Sequence, residues 1–293
     1  RDAGTGRCGT SEAGNVAKLR RSRKPACVSW RIFSDSKYEN LSGTIELGSI
    51  AKTYFGIQAF DKGSSVSDQK ENELYKPMID GKNVFAFSES TPNSFFDFRS
   101  ENIKSGGDVS IYNQDRIVIR QIGMVPIVGF CGSGVLTSNT IYNVVLNSKS
   151  YNLRYLLLIL NSKFIKHYWI SKFADNKKLF PKIKGFQLKK LPIPIIPLVQ
   201  QEEFARKAQQ IIDFNNNLKI MPSKTDKYGL MQSQVEKLKR EVDHEVYKLY
   251  SLTPEEIEVI ERGIGFGGEL GTGKFTIYNG NLSPIHHSQK CGI

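Results

Sequence analysis

Ten basic side chains stand between positions 151 and 200: Arg154, Lys163, Lys166, Lys172, Lys177, Lys178, Lys182, Lys184, Lys189 and Lys190, accompanied by one acid, Asp175. Tyr155, Phe164, Tyr168, Trp169, Phe173, Phe180 and Phe186 interleave with them. Lysines neutralise phosphates and aromatic rings stack on bases, so this mixture suits a polyanion that carries flat bases. The whole chain has a net charge of +12 at pH 7, and this one segment supplies nine of those charges. A solvated surface is the bland alternative for a charge run, and an anionic membrane face would answer the charge but not the rings.

Other chemistries lack their residues. Gly263, Gly265 and Gly268 satisfy a dinucleotide spacing but follow a predicted helix, where the fingerprint must follow a strand. Gly4, Gly6 and Gly9 repeat the pattern with no strand before them. In GELGTGKF a phosphate loop is spoiled by Phe275, which stands where Ser or Thr must reach magnesium. Cys8, Cys27, Cys131 and Cys291 form no CxxC pair, and His286, His287 and Cys291 share a glycine-rich stretch with no frame to hold a metal. An acidic pair followed by Glu-x-Lys on a strand, as a nuclease requires, is not found. The expectation is a chain without catalysis or metal of its own.

The elements that would position the lysines are legible. With 293 residues, 39% hydrophobic and 24% charged, the chain is long enough for a full core and has an ordinary globular composition. Its apolar run 155–160 is far too short to span a bilayer, so a cytoplasmic protein is expected. Residues 42–50, 83–88, 116–122, 125–131 and 140–146 are predicted strands, being β-branched or aromatic and bounded by Gly, Asn, Asp or Pro. From 152 to 173 the spacing of Leu156, Leu157, Leu160, Phe164 and Tyr168 predicts the buried face of one helix.

Pro192, Pro194 and Pro197 follow, a strap that fixes φ and keeps the chain extended. Two stripes come next, Phe204, Ala208, Ile211, Ile212 and Leu218, then Met231, Val235, Leu238, Val242, Val246 and Leu249, which predict an antiparallel helical hairpin across MPSKTDKYG. Its outer faces are expected to mix signs through residues such as Lys207, Glu241 and Asp243. Thr253, Pro254 and Glu256 have the capping-box spacing of a further helix.

Several short pieces recur in a set order: Gly56-Ile57-Gln58 with Asp61, then Lys76-Pro77-Met78-Ile79-Asp80-Gly81-Lys82, Asp115-Arg116-Ile117-Val118-Ile119-Arg120, Asn139-Thr140-Ile141-Tyr142, Leu160-Asn161-Ser162-Lys163 and Leu191-Pro192-Ile193-Pro194. In this order, over roughly 45–262, the chain resembles the TaqI-like C-terminal specificity domain of adenine-specific DNA methyltransferases and combined restriction-modification enzymes. It is similar in plan to the specificity subunits of type I restriction systems.

The resemblance implies an α+β fold, a β-rich target-recognition domain with a packed helix and then the hairpin. The implied layout is an N-terminal segment 1–40 with little order, a recognition domain 41–197, a docking hairpin 198–262 and a glycine-rich tail 263–293. It implies double-stranded DNA as partner, with a methyltransferase or nuclease domain upstream in the same polypeptide or in a separate subunit. The start on Arg1 favours the former. S-adenosylmethionine would then belong to that catalytic part and not to this chain. Neither the Asn/Asp-Pro-Pro-aromatic motif nor a convincing cofactor loop occurs here; GFCGSGVL at 129–136 looks like such a loop but is followed by a predicted strand.

Base-edge contacts are expected from Gln58, Lys76, Lys82, Asn83, Arg120 and Gln121, because Arg and Lys suit guanine while Asn and Gln suit adenine. Phosphate contacts are expected from Lys163, Lys166, Lys172, Lys177, Lys178 and Lys184. The hairpin is expected to brace the reader without being needed for its folding.

Overall fold

Short β-branched runs punctuated by Gly, Asn and Asp form the strands, and the longer apolar periods form the helices. The computed structural model describes residues 41–173, 182–264, 275–278 and 281–284. The N-terminal segment, Lys177 and Lys178, the glycine patterns at 4–9 and 265–274 and the His286, His287 and Cys291 group lie outside the described residues.

In chain order the first elements are β1 (Thr44–Glu46), α1 (Leu47–Ile50), β2 (Ala51–Phe55), β3 (Gln58–Ala59), α2 (Lys62–Ser65), β4 (Val66–Ser67), β5 (Tyr75–Ile79), β6 (Ser94–Asp97), β7 (Ile103–Ser105) and α3 (Val109–Tyr112). Next come β8 (Arg116–Arg120), β9 (Val128–Cys131), β10 (Leu136–Thr137), β11 (Ile141–Leu146), α4 (Leu153–Asn161), α5 (Lys163–Phe173), α6 (Gly185–Lys189) and β12 (Pro192–Pro194). The last are α7 (Leu198–Ile220), α8 (Asp226–Leu249), α9 (Pro254–Ile264), β13 (Phe275–Tyr278) and β14 (Asn281–Pro284).

One antiparallel sheet has the order β2-β11-β8-β9, and a second, β10-β5-β6-β4, contains one parallel pair, β10 with β5. The sequence Arg-Ile-Val-Ile-Arg of β8 is buried from Arg116 to Ile119 on both faces, as a central strand requires. Arg116 has no carboxylate beside it in this sheet. Its guanidinium instead donates to the Asn143 side chain at 2.8 Å and to the carbonyls of Gln114, Gly132 and Val135, which satisfies a buried cation with fixed dipoles.

Helix α4 exceeds the amphipathic expectation. Tyr155 to Leu160 are all buried, because β8 and β9 cover one side and α7 the other. Truncating any of these leucines to alanine would cost about 2–5 kcal/mol. The predicted single helix is broken at Ser162, whose hydroxyl bonds back to Ile159 O (2.7 Å) while α5 restarts at Lys163.

Two further readings are corrected. Residues 42–50 are not one strand, since α1 interrupts them and the ladder runs through β2 instead. Residues 84–88 form no strand: Phe87 has φ +50°, and the segment is pinned irregularly along β9, with Phe87 N on Val128 O (3.2 Å) and Phe130 N on Ser88 O (2.9 Å). The Cys-Gly-Ser-Gly run within Gly129–Leu136 links β9 to β10 around the Arg116 guanidinium, and a strand, β11, follows as the sequence predicts.

The proline strap is a buried strand. β12 pairs antiparallel with β1, Ile193 is fully buried, and the hydroxyls of Tyr250 and Tyr155 donate to the carbonyls of Pro192 (2.7 Å) and Pro194 (3.0 Å). Gln201 at the head of α7 fixes its far end by donating to Ser150 O and Ile196 O and accepting from Asn152 N.

Helices α7 and α8 form the expected hairpin, tied by the Lys207–Glu245 ion pair, and the Thr253–Glu256 capping box starts α9 as the spacing predicts. Ala208, Ile211, Ile212, Val235, Val242 and Val246 belong to the same apolar cluster as Ile117, Val128 and Leu156–Leu160. The hairpin therefore closes the core of the β-rich part, and the expected boundary at 197 does not divide it. Within the tail, β13 pairs with β14 as a two-stranded ladder.

Candidate nucleic-acid interface

Residues 137–141, the link between β10 and β11, gather the expected reading elements around one backbone segment. Ile57 N donates to Thr137 O (2.7 Å) and Asn139 N to Ile57 O (2.8 Å), which fixes β3 and Gln58 beside the link. Ser138 N donates to Ile79 O (3.0 Å), and Gly81 N to Thr140 Oγ1 (2.8 Å). Gln121 N completes the set on Thr140 O (2.9 Å). The close approach explains Gly56: a β-carbon there would lie 2.2 Å from Ser138 O, so any side chain would force the two segments apart.

The loop 80–84 is held twice. The Asp80 carboxylate accepts from Lys82 N (3.0 Å), and the Asn83 side-chain oxygen accepts from Asp80 N (3.3 Å), closing a capping box around the short 3-10 turn Gly81–Asn83. Arg120 then reaches in from the end of β8. Its guanidinium donates to the carbonyls of Gly81 (2.7 Å), Val84 (3.0 Å) and Lys82 (3.4 Å), and burial pulls its pKa below the ordinary arginine value.

This changes the expected roles. Arg120 positions the reading loop, and its donors face the protein, which corrects its expected base contact. Asn83 has its oxygen engaged, so a two-point contact with adenine would require giving up the capping box. The Gln58 oxygen faces the Ser105 hydroxyl at 3.5 Å. Lys82 and Lys76 are exposed, Lys82 lying 3.8 Å from the Asp80 carboxylate and Lys76 on β5. Asn139, exposed at the centre of the link, was missed as a candidate; only its place inside the Asn139-Thr140-Ile141-Tyr142 piece hinted at it.

The phosphate set divides. Lys163 turns to Glu261 of α9 (2.5 Å), and its backbone N–H donates to Asp243 of α8 (2.8 Å). Lys166 is half-buried, its pKa lowered by burial and partly restored by Asp243. Lys163 clamps helices together, a correction forced by acids on α8 and α9. Asp243 is itself buried, against the expectation that it faces solvent. Lys172 is half-buried on the last turn of α5. Lys184 is exposed, and beside it stand exposed Lys182 and Lys189, which had been counted in the charge run but not singled out. Ile183 N donates to Gln121 O (2.8 Å), so this second basic group adjoins the 137–141 link.

Among the described residues no group of three or more His, Cys, Asp or Glu side chains could hold a metal ion, and no helix is long and apolar enough to cross a membrane.

Residues 76–193 match the TaqI-like C-terminal specificity domain family, a span that contains the reading loop, the 137–141 link and the basic group. No curated protein matches the sequence. Among solved structures, the type II restriction-modification enzyme MmeI in complex with DNA is similar over 73% of this chain and 35% of its own, with TM-score 0.51 and 12% identity, which supports the same fold. A chain of a type I restriction-modification complex aligns over 75% of this chain and 45% of its own, with TM-score 0.42 and 16% identity. The HsdS subunit from Thermoanaerobacter tengcongensis aligns over 75% and 43%, with TM-score 0.40 and 16% identity. The chain thus spans less than half the length of each of these proteins.

Proposed function

We propose that this chain is a DNA target-recognition module of a restriction-modification enzyme, reading duplex DNA for a methyltransferase or nuclease part that supplies the chemistry. The observation that carries the reading is the coincidence of the family match with the 137–141 link, where a doubly held loop and two exposed basic groups share one face.

In this reading Lys82, Lys76 and Asn139 approach base edges, Arg120 fixes the loop that presents Lys82, and Lys182, Lys184 and Lys189 meet phosphates. Base contacts would set sequence preference and the lysines affinity. S-adenosylmethionine would bind the partner, because the Cys-Gly-Ser-Gly turn that resembles a cofactor loop is filled by Arg116.

Selection of bound duplexes from a random pool tests this directly. A short consensus is expected, bound at least 10³-fold tighter than random DNA at physiological salt. Enrichment of no consensus would reduce the chain to a basic adaptor, and calorimetric binding of S-adenosylmethionine would restore the enzyme reading.

A further inference from the structure

Beside the reading face lies an open cleft of about 410 Å³ whose aromatic walls the proposed contacts do not use. Phe55 from the end of β2 and Phe186 from α6 line it, and they are 51% and 61% exposed, unusual for phenylalanines with a core available. The cleft is built and not incidental. Phe55 lies 4.5 Å from the Tyr142 ring, and the Tyr142 hydroxyl donates to Ile183 O (3.1 Å) and accepts from Gly185 N (3.0 Å), fixing the wall that carries Lys184 and Phe186. Gly185 is required there, because a β-carbon would come within 3.1 Å of the Tyr142 ring.

The chemistry of the lining selects an occupant. Lys184 holds its ammonium 5.7 Å from the Phe186 ring centre, and Lys189 stands on the same rim, so the cleft joins exposed π-faces to two cations. Flat aromatic faces beside phosphate-seeking lysines are the components of a single-strand stacking site. A protein side chain would satisfy the rings but leave the cations unanswered.

We infer that this cleft receives one unpaired nucleobase of the bound DNA, stacked on Phe186 and Phe55, with its flanking phosphates on Lys184 and Lys189. The inference rests on the DNA-reading role proposed above, and it adds a second binding mode. The face around 137–141 meets paired DNA, while the cleft captures a base displaced from the stack.

The experiment uses the full chain and two duplexes carrying the selected site, one fully paired and one with a single unpaired 2-aminopurine placed at each flanking position in turn. At one position the bulged duplex is expected to bind about tenfold tighter, with the 2-aminopurine fluorescence quenched. Phe186→Ala, and separately Phe55→Ala, should abolish both effects while leaving paired-duplex affinity within about twofold. Equal binding of both duplexes, or a preference that survives both substitutions, overturns the cleft alone. Failure of the wild-type chain to bind either duplex overturns the DNA-reading role and the cleft with it.

Discussion

The helix-packed side of the molecule and the face around residues 137–141 use lysine in opposite ways. On the helical side Lys163 meets Glu261, brought by α9 from 98 positions away, and its backbone N–H meets Asp243, brought by α8 from 80 positions away. On the other face Lys82, Lys182, Lys184 and Lys189 stay exposed around a backbone fixed by neutral hydrogen bonds. A run of like charge in sequence is thus not yet a surface. What decides is whether a distant element carries an acid to the same place.

The sharpest break of this contrast is removal of the helical side. Truncation after Pro197 takes Ala208, Ile211, Ile212, Val242 and Val246 from the core cluster and uncovers α4, whose central residues are apolar all round. Each large buried side chain left facing water forfeits about 1.5–3 kcal/mol, which together exceeds the stability of an ordinary domain. The truncated chain is expected to lose its cooperative thermal transition by circular dichroism; a sharp melt with retained site-specific binding would restore the hairpin as a mere docking arm.

A smaller effect is expected at Arg120. Arg120→Ala leaves the carbonyls of Gly81 and Val84 without their donor, costing about 1–3 kcal/mol of stability and loosening the loop that carries Lys82. Site preference should therefore fall while binding to random DNA barely changes. Arg120→Lys should not rescue, since an ammonium cannot reach three carbonyls in one plane. Full rescue by lysine would return Arg120 to the base-contact set.

Asp243 gives a pH signature to the helical side alone. Burial raises its carboxyl pKa from 3.8 to about 6, against the opposing pull of the Lys163 backbone N–H and the ammoniums of Lys163 and Lys166. The folded state holds the proton more tightly than the unfolded one. That contribution to stability is present in full below pH 3.8 and is lost as pH rises through about 6, a change of up to about 3 kcal/mol. Asp243→Asn keeps an acceptor for Lys163 N and should flatten this part of the stability profile in urea melts at pH 4, 5, 6 and 7. Parallel profiles for variant and wild type would show that the carboxyl does not titrate there.

The finest test compares two lysines. Lys184→Gln should lower the slope of log affinity against log salt by about 0.9, while Lys163→Gln should leave that slope unchanged and cost at most about 1 kcal/mol of stability. The reverse result would exchange their assignments.

Much of this was legible in the sequence for local reasons. The stripes of α7 and α8, the Thr253 cap and the β-branched runs of β8 and β11 are written in residues a few positions apart. The family-like pieces were legible as strings but not as mechanics. Asn161 of Leu160-Asn161-Ser162-Lys163 anchors α4 to Val128 O, Ser162 breaks the helix, and the amide of Lys163 is capped from α8. Val128 and Asp243 are both far away in sequence. The loop at 84–88 was misread because its aromatic and β-branched residues favour a strand, whereas Phe87 turns left-handed to follow β9. Asn139 went unnoticed because nothing local marks an exposed residue at the junction of two sheets.

The helical hairpin touches the reader directly, the Asn215 amide donating to Phe87 O (2.8 Å) and the Lys219 ammonium to Glu89 O (2.9 Å). These are carbonyls of the irregular segment that continues the loop 80–84. An engineer exchanging specificities between related enzymes would be tempted to cut at the prolines and graft residues 41–197 onto a foreign hairpin. Such a graft would carry the letters of the reader without the far handle of its loop. The transferable unit is smaller, the loop with Lys82 together with Lys76 and Asn139, moved as point changes into a recipient that keeps its own α7.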